Sequence, residues 1–260
     1  MGQQRTRRVT RCIFCPNKAD SREHAWPDWV LRRFSSYTAG PIHSTIQGKI
    51  QNVDLTQRSL KVRCVCQPCN TGWMKRLEDT VIPLVSPLMH DLGKPLDILQ
   101  QSTIALWAVK TVMVFEYATD QKPTIFYTDT DREQLKRKEL PPPNTSVWLA
   151  RCDGSSAFHT DARDMLTGRP NLPEIRGHVT TLSYKHLAIQ VLSFRPAMHE
   201  TRTIEIQRNS PLPWDRAALR IWPTSRHTFW PPPLSLDIKP GMSLSDFCGV
   251  WIHNSSQDKE

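Results

Sequence analysis

Two pairs of cysteines near the N-terminus constrain the fold of this sequence more than any other feature. Cys12 and Cys15 form one C-x-x-C pair, and Cys66 and Cys69 form a second. This spacing lets both thiolates of a pair bind one tetrahedral zinc ion. The gap over 16–65 is longer than in compact zinc ribbons. We predict a structural zinc site with these four ligands, which supplies about 10–16 kcal/mol of apparent binding free energy.

The remaining cysteines leave alternatives open. Cys64 could replace Cys66 as a ligand, although its spacing to Cys69 is less suitable. The thiols could also be simply buried, because free cysteine packs like a small apolar residue. Cys152 and Cys248 are isolated and predict ordinary core or surface thiols. The odd total of 7 cysteines and the lack of an apolar export segment argue against disulfides and predict a cytoplasmic protein.

Positive charge is concentrated in the same part of the chain. Residues 1–96 hold 15 Lys and Arg against 7 Asp and Glu, whereas residues 97–260 hold 19 against 18. A basic module joined to a neutral body is typical of proteins that bind a polyanion, although a solubilising surface would give the same balance. The charge balance therefore favours nucleic acid as the partner. The predicted phosphate contacts are Arg7, Arg8, Arg11, Arg32 and Arg33.

The chain divides into three segments of an α+β protein. We predict a basic arm over 1–11, a zinc-stapled N-terminal domain over 12–95, and a helix followed by a strand-rich domain over 96–260. Residues 96–118 are apolar nearly all round, which indicates a central buried helix. No apolar run reaches the roughly 18–20 residues of a membrane span, so no membrane partner is expected. Strands are predicted at 147–150, 179–184, 187–194 and 203–206, with further strand segments near 219–223 and 230–233. Residues 246–253 are predicted to form a last helix or strand.

Local patterns in the N-terminal domain predict two strands and a helix. A weak strand is expected within 43–50, and a second strand at 59–65 leads into the second cysteine pair. Asn70 is predicted to cap the helix that follows. Pro83 and Pro87 are expected to end or kink this helix, because proline lacks the backbone N–H that the helix needs.

An acidic residue, a histidine and an asparagine stand at fixed places around the cysteines. Glu23 and His24 lie in the sequence S-R-E-H-A-W-P between the pairs, and Asn70 directly follows the second pair. Over 12–80 this layout resembles the HNH (ββα-metal, or His-Me finger) endonucleases, above all the endonuclease VII type. The chain is also similar, more loosely, to uncharacterised bacterial HNH proteins with the pattern C-x-x-C…E-H-x-x-P-x-W…C-x-x-C-N-x-x-W-x-x-x-L-E.

The resemblance implies a zinc-stapled ββα-metal finger that hydrolyses DNA phosphodiester bonds. His24 would be the general base, because a neutral imidazole with a pKa near about 6.5 accepts a proton from water at neutral pH. Glu23 and the amide oxygen of Asn70 would hold a catalytic Mg²⁺ or Mn²⁺, since hard cations take oxygen ligands. Zinc would remain structural.

The sequence departs from this family pattern in three ways. The acidic residue is Glu23 rather than the commoner aspartate, the finger carries an insertion near 35–58, and Asn70 replaces a helix-borne histidine. Asn70 could act only as a cap, and Glu78 is expected in a salt bridge with Lys75, Arg76 or Arg22. His43, within the insertion, is predicted to be a plain surface histidine rather than a metal or phosphate contact.

Two other functions stay open at this point. A non-catalytic zinc module that binds nucleic acid would share the cysteines and the charge, but would not need Glu23 and His24. Alternatively, the C-terminal domain could act as a sensor that controls the nuclease, or provide the surface for a homodimer or a protein partner.

Overall fold

The computed structural model describes a mixed α+β protein over residues 9–33, 42–46, 49–53, 61–118, 125–152, 159–167, 175–195, 204–208, 214–236 and 250–254. Arg7, Arg8 and Cys248 lie outside these described residues, as do the side chains of Arg33 and His43.

The N-terminal part is built on two short strands that lie far apart in sequence. Strand β1 (Ser21–His24) pairs antiparallel with β4 (Lys61–Val65), and helix α1 (Asp28–Arg33) follows β1. Between them, β2 (Ile42–Ile46) pairs antiparallel with β3 (Lys49–Val53). The single strand predicted at 43–50 is therefore wrong, because the chain turns back within it and forms a hairpin.

A helical run begins within the second cysteine pair and is kinked at Gly72, whose φ of -93° and ψ of -109° are not helical. It consists of α2 (Gln67–Cys69), a wider π-helical segment (Asn70–Met74) and α3 (Lys75–Met89). The predicted helix start at Asn70 is wrong, because Cys66 is the N-cap and a proline occupies the first turn, where its missing N–H costs nothing.

Helix α3 contains both prolines that were expected to end or kink it, and it runs on to Met89. Pro87 cannot donate to the carbonyl oxygen of Pro83, one helical turn earlier. The ammonium of Lys94 donates to that oxygen instead, at 3.1 Å. A buried apolar side also holds the helix in place, including Leu77, Val81 and Val85. Tertiary contacts therefore outweigh the proline penalty here.

The C-terminal part is helical first and then strand-rich. Its helices are α4 (Ile98–Phe115), α5 (Asp129–Lys138) and α6 (Trp214–Ala217). Its strands are β5 (Lys94–Leu96), β6 (Thr145–Cys152), β7 (His159–Thr167), β8 (Ile175–Tyr184), β9 (Leu187–Arg195), β10 (Ile204–Arg208), β11 (Ala218–Trp222), β12 (Thr228–Trp230), β13 (Ser235–Leu236) and β14 (Val250–Asn254). A strand is thus present at each predicted strand segment among the described residues, whereas α5, α6, β5, β7 and β13 were not predicted.

Most of these strands form one antiparallel sheet in the order β11-β6-β9-β8-β7, with β13 added parallel to β6. Alternation along β6 sends Val147 and Leu149 to one face, where they join the main core. Trp148 and Ala150 point to the opposite face and join a second, smaller cluster. The sheet is therefore packed on both faces.

Helix α4 lies at the centre of the main core. It packs against α3 on one side and against β9 and β11 on the other. Trp107 contacts Trp29 of α1, with ring centroids 5.9 Å apart, so the core continues across the predicted boundary at 95/96.

Within the described part of the chain, α4 is the one helix whose length and hydropathy would suit a membrane span, but 72% of it is buried in the protein. It is the apolar core helix that the sequence predicts.

Candidate functional site

The four predicted cysteine ligands meet at one point. The sulfur atoms of Cys12, Cys15, Cys66 and Cys69 all lie within 4.8 Å of one another. The Sγ of Cys15 is 3.5 Å from that of Cys66 and 3.6 Å from that of Cys69. A tetrahedral zinc ion with Zn–S bonds of about 2.3 Å needs sulfurs about 3.8 Å apart. The arrangement therefore suits a structural Zn²⁺ site.

Backbone hydrogen bonds shape the first cysteine pair and attach it to β4. The N–H of Cys12 donates to the carbonyl of Asn17 at 2.7 Å, which closes a tight turn. The N–H of Ile13 donates to the carbonyl of Cys64 at 2.9 Å. This bond holds the turn beside the strand that leads directly to Cys66.

The second pair depends on the start of helix α2. The N–H of Gln67 donates to the carboxylate of Asp20 at 2.8 Å, so a residue next to β1 satisfies a free helix N–H. Asn70 N–H donates to the carbonyl of Cys66 at 3.0 Å and completes the turn. This turn brings the side chain of Cys69 to the same side of helix α2 as that of Cys66.

One cysteine of the cluster, Cys69, has a lowered pKa and a cation beside it. A hydrogen bond from Cys12 lowers the pKa of Cys69 to about 4, whereas burial is the main cause that raises the pKa of Cys66. The ammonium of Lys136, on α5, donates to Cys69 Sγ at 3.4 Å. This lysine balances part of the negative charge that four thiolates bring together.

Cys64 is not part of the cluster. It is fully buried in the main core, and burial raises its pKa to about 12. The end of β4 at Val65 explains the difference, because Cys64 faces inward from the strand whereas Cys66 lies beyond its end, at the helix cap. The choice of Cys66 over Cys64 agrees with the geometry.

Glu23 and His24 point to different surroundings from the end of β1. Glu23 is buried, whereas the side chain of His24 is 19% exposed. The Nε2 atom of His24 lies 3.7 Å from a carboxylate oxygen of Asp28, the first residue of α1. Burial lowers the pKa of His24, the charge of Asp28 raises it and that of Lys61 lowers it. The imidazole is therefore kept neutral at ordinary pH.

Glu23 faces a buried lysine that the sequence analysis did not single out. The Nζ of Lys110 lies 3.6 Å from Oε1 of Glu23 and 2.7 Å from Oε1 of Glu78. Glu78 therefore pairs with Lys110, and the expected bridge to Lys75, Arg76 or Arg22 is wrong. Burial is the main cause that raises the pKa of Glu23, and Lys110 acts against it.

Asn70 is joined directly to the strand that carries Glu23 and His24. Its Nδ2 donates to Ser21 Oγ at 2.8 Å and to the carbonyl of Arg22 at 3.3 Å. Because Ser21 and Glu23 share the buried face of β1, the Asn70 side chain approaches that face. No hydrogen bond or ion pair joins the three side chains to one another. Asn70 also begins the distorted helical segment that is kinked at Gly72.

The structure describes the side chains of two of the five arginines that are predicted to contact phosphate, Arg11 and Arg32. Arg11 is exposed and pairs through its backbone with Lys18, at the end of the first cysteine turn. Arg32 is 77% exposed and forms an ion pair with Asp28. Both are accessible, although the charge of Arg32 is partly balanced.

No family model, curated protein or solved structure matches this chain. The residues themselves therefore carry the functional argument.

Sequence reasoning missed the two lysines at this site. Lys110 could have been found, because it is the single charged residue in the apolar segment of α4 and must have a partner when buried. Lys136 gave no such signal, because it lies in a polar helix rich in charged residues.

Proposed function

We propose that the protein is a divalent-metal-dependent endonuclease of the HNH type that hydrolyses DNA. One observation carries this proposal. The Asn70 amide, directly after the second cysteine pair, is hydrogen-bonded to the strand that bears Glu23 and His24. Its two acceptors, Ser21 and Arg22, lie 49 and 48 residues earlier in the sequence. Because Cys66 caps the helix, a capping role of Asn70 does not account for this link.

The donor atoms suit a hard divalent cation. Both hydrogen atoms of the Asn70 amide nitrogen have acceptors, which fixes the orientation of the amide and leaves Oδ1 available as a ligand. Glu23 and Glu78 share the single ammonium of Lys110, so negative charge exceeds positive charge at this point. Carboxylate and amide oxygens are the ligands that Mg²⁺ and Mn²⁺ prefer.

The chain's own residues can then perform hydrolysis. His24, kept neutral by burial, accepts a proton from the attacking water, which contributes about 10²–10⁴-fold to the rate. Asp28 lies next to the imidazole and stabilises its protonated form. A divalent cation held by Glu23 and Asn70 would supply charge neutralisation on the phosphate and the leaving oxygen. The zinc cluster holds β4 and the helix in register with β1.

A plasmid-cleavage assay tests this function. Zinc-loaded protein should cut DNA with Mg²⁺ or Mn²⁺, and His24→Ala should lose at least about 10²-fold in rate while retaining zinc. His227→Ala, an exposed histidine in the C-terminal part, is the matched control and should keep the full rate. Equal rates for His24→Ala and the control would refute the role of His24.

One observation favours the second function, a non-catalytic zinc module that binds nucleic acid. The Glu23 carboxylate already faces the ammonium of Lys110, so its charge has a partner without a metal ion. This module would bind DNA with equal affinity in the wild type and in His24→Ala, and would cut it with neither Mg²⁺ nor Mn²⁺.

A further inference from the structure

The β1–β4 pair has one buried face and one basic face. Strand alternation turns Ser21 and Glu23 of β1 inward, together with Val62 and Cys64 of β4. The exposed side chains of the two strands are Arg22, Lys61 and Arg63, and we call this surface the basic face. His24, the partly exposed residue at the end of β1, lies on the same side.

The pairing register brings the basic face next to His24. His24 is directly opposite Lys61, and Glu23 is opposite Val62. Arg22 stands at the irregularity between the pairs Ser21–Val65 and Glu23–Val62, where β4 has the two residues Arg63 and Cys64. Side chains directly opposite one another in an antiparallel pair lie about 4.5–5.5 Å apart at Cβ. The proposed general base is therefore flanked by positive charge.

These cations have no ion-pair partner among the residues that the structure describes. Other surface cations do have one, for example Lys75 with Asp79 at 3.0 Å and Arg137 with Glu133 at 2.8 Å. Like charges that lie opposite one another on neighbouring strands destabilise a sheet. A cluster that costs stability and is not neutralised within the described protein suits an anionic ligand.

The backbone beneath the basic face is held in place. The carbonyl of Arg22 accepts a hydrogen bond from Asn70, and the carbonyl of Cys64, next to Arg63, accepts one from Ile13. Both donors belong to the segments that carry the zinc ligands. The side chains of Arg22 and Arg63 therefore project from a fixed frame rather than from a loose loop.

We propose that Arg22, Lys61 and Arg63 contact successive phosphates of a nucleic-acid strand and lay it alongside His24. This inference rests on the proposed function, because it takes nucleic acid as the substrate. Contacts of this kind carry no base specificity and position the backbone. They release counterions, so they make binding depend steeply on salt.

Binding measured without Mg²⁺ or Mn²⁺ tests the basic face separately from cleavage. The zinc-loaded full chain is titrated onto a short labelled DNA duplex at several salt concentrations. The triple variant Arg22→Gln, Lys61→Gln, Arg63→Gln should reduce the slope of log K against log salt by about 0.9 per lost contact. Affinity should fall on the order of 10²-fold near about 0.1 M salt.

A second triple variant separates a local effect from a change in net charge. Arg216→Gln, Arg220→Gln, Arg226→Gln removes the same charge from exposed positions in the C-terminal part and should keep the wild-type slope. The basic face is refuted if both triple variants lose affinity equally, or if the first binds and cleaves like the wild type. A wild-type protein that binds with the expected slopes but never cleaves would instead refute the nuclease function and leave the basic face standing.

Discussion

The ammonium of Lys110 lies 3.6 Å from the carboxylate of Glu23, on the face of β1 turned away from solvent. The side chain of Lys110 is only 1% exposed, and it also contacts Glu78 at 2.7 Å. Burial by itself would lower the pKa of Lys110, but the charges of Glu78 and Glu23 outweigh it and raise the pKa. The lysine therefore stays charged and links α4 to both α3 and β1.

Lys110→Met should destabilise the protein strongly. The substitution leaves two carboxylates close together without a cation, and loss of one partner from a buried ion pair costs about 3–5 kcal/mol. Lys75→Met removes an exposed lysine paired with Asp79 on α3 and should cost less than about 1 kcal/mol. Denaturant unfolding of the zinc-loaded variants measures both values. Similar values for the two variants would contradict a structural role for Lys110.

The cysteine cluster predicts which thiols hold zinc. Cys66→Ser should lose the bound zinc, because it removes one of four ligands, and should unfold the N-terminal part at lower denaturant concentration. Cys64→Ala is the matched control two residues away. It should keep one zinc ion per chain and lose only packing, since its sulfur lies in the apolar core. Zinc content after dialysis distinguishes the two, and the reverse result would restore Cys64 as the ligand.

Lys136 should strengthen zinc binding without touching the ion. Its ammonium donates to the sulfur of Cys69, and loss of such a partner of a metal ligand typically reduces affinity about 10–100-fold. Lys136→Met should therefore release zinc to a competing chelator at lower chelator concentration. Arg137→Met, at an exposed neighbouring position paired with Glu133, should match the wild type. Equal zinc affinity in Lys136→Met would show that the contact has no effect.

The sequence predicts features with strong local signals. The cysteine spacing identifies the metal site, and apolar runs identify α4 and the C-terminal strands. Helix α5 was missed because it has few apolar residues, although the capping box of Thr128 and Asp131 marks its start. The passage of α3 through Pro83 and Pro87 depends on a distant lysine and on burial, which no local pattern contains.

The candidate site likewise has features that the sequence predicts and features that it does not. Glu23, His24 and Asn70 were found through their positions around the cysteines. Their contacts could not be read from the sequence, since the ion pair to Lys110 requires α4 to pack behind β1. The basic face likewise depends on the pairing of β1 with β4 across a long insertion, which fixes which lysines and arginines become neighbours.

The position of His24 between Asp28 and Lys61 predicts the pH dependence of cleavage. A general base must be neutral, so kcat/KM should rise with pH through the pKa of His24 in the free enzyme. Because burial lowers that pKa, half of the maximal value should be reached below pH 6.5. Asp28→Asn removes a charge that raises the pKa and should shift the midpoint to lower pH. Lys61→Gln removes a charge that lowers the pKa and should shift the midpoint to higher pH.

The midpoint is independent of the absolute rate, so weaker DNA binding in Lys61→Gln does not obscure the shift. Midpoints that stay at the wild-type value in both variants would exclude His24 as the titrating base.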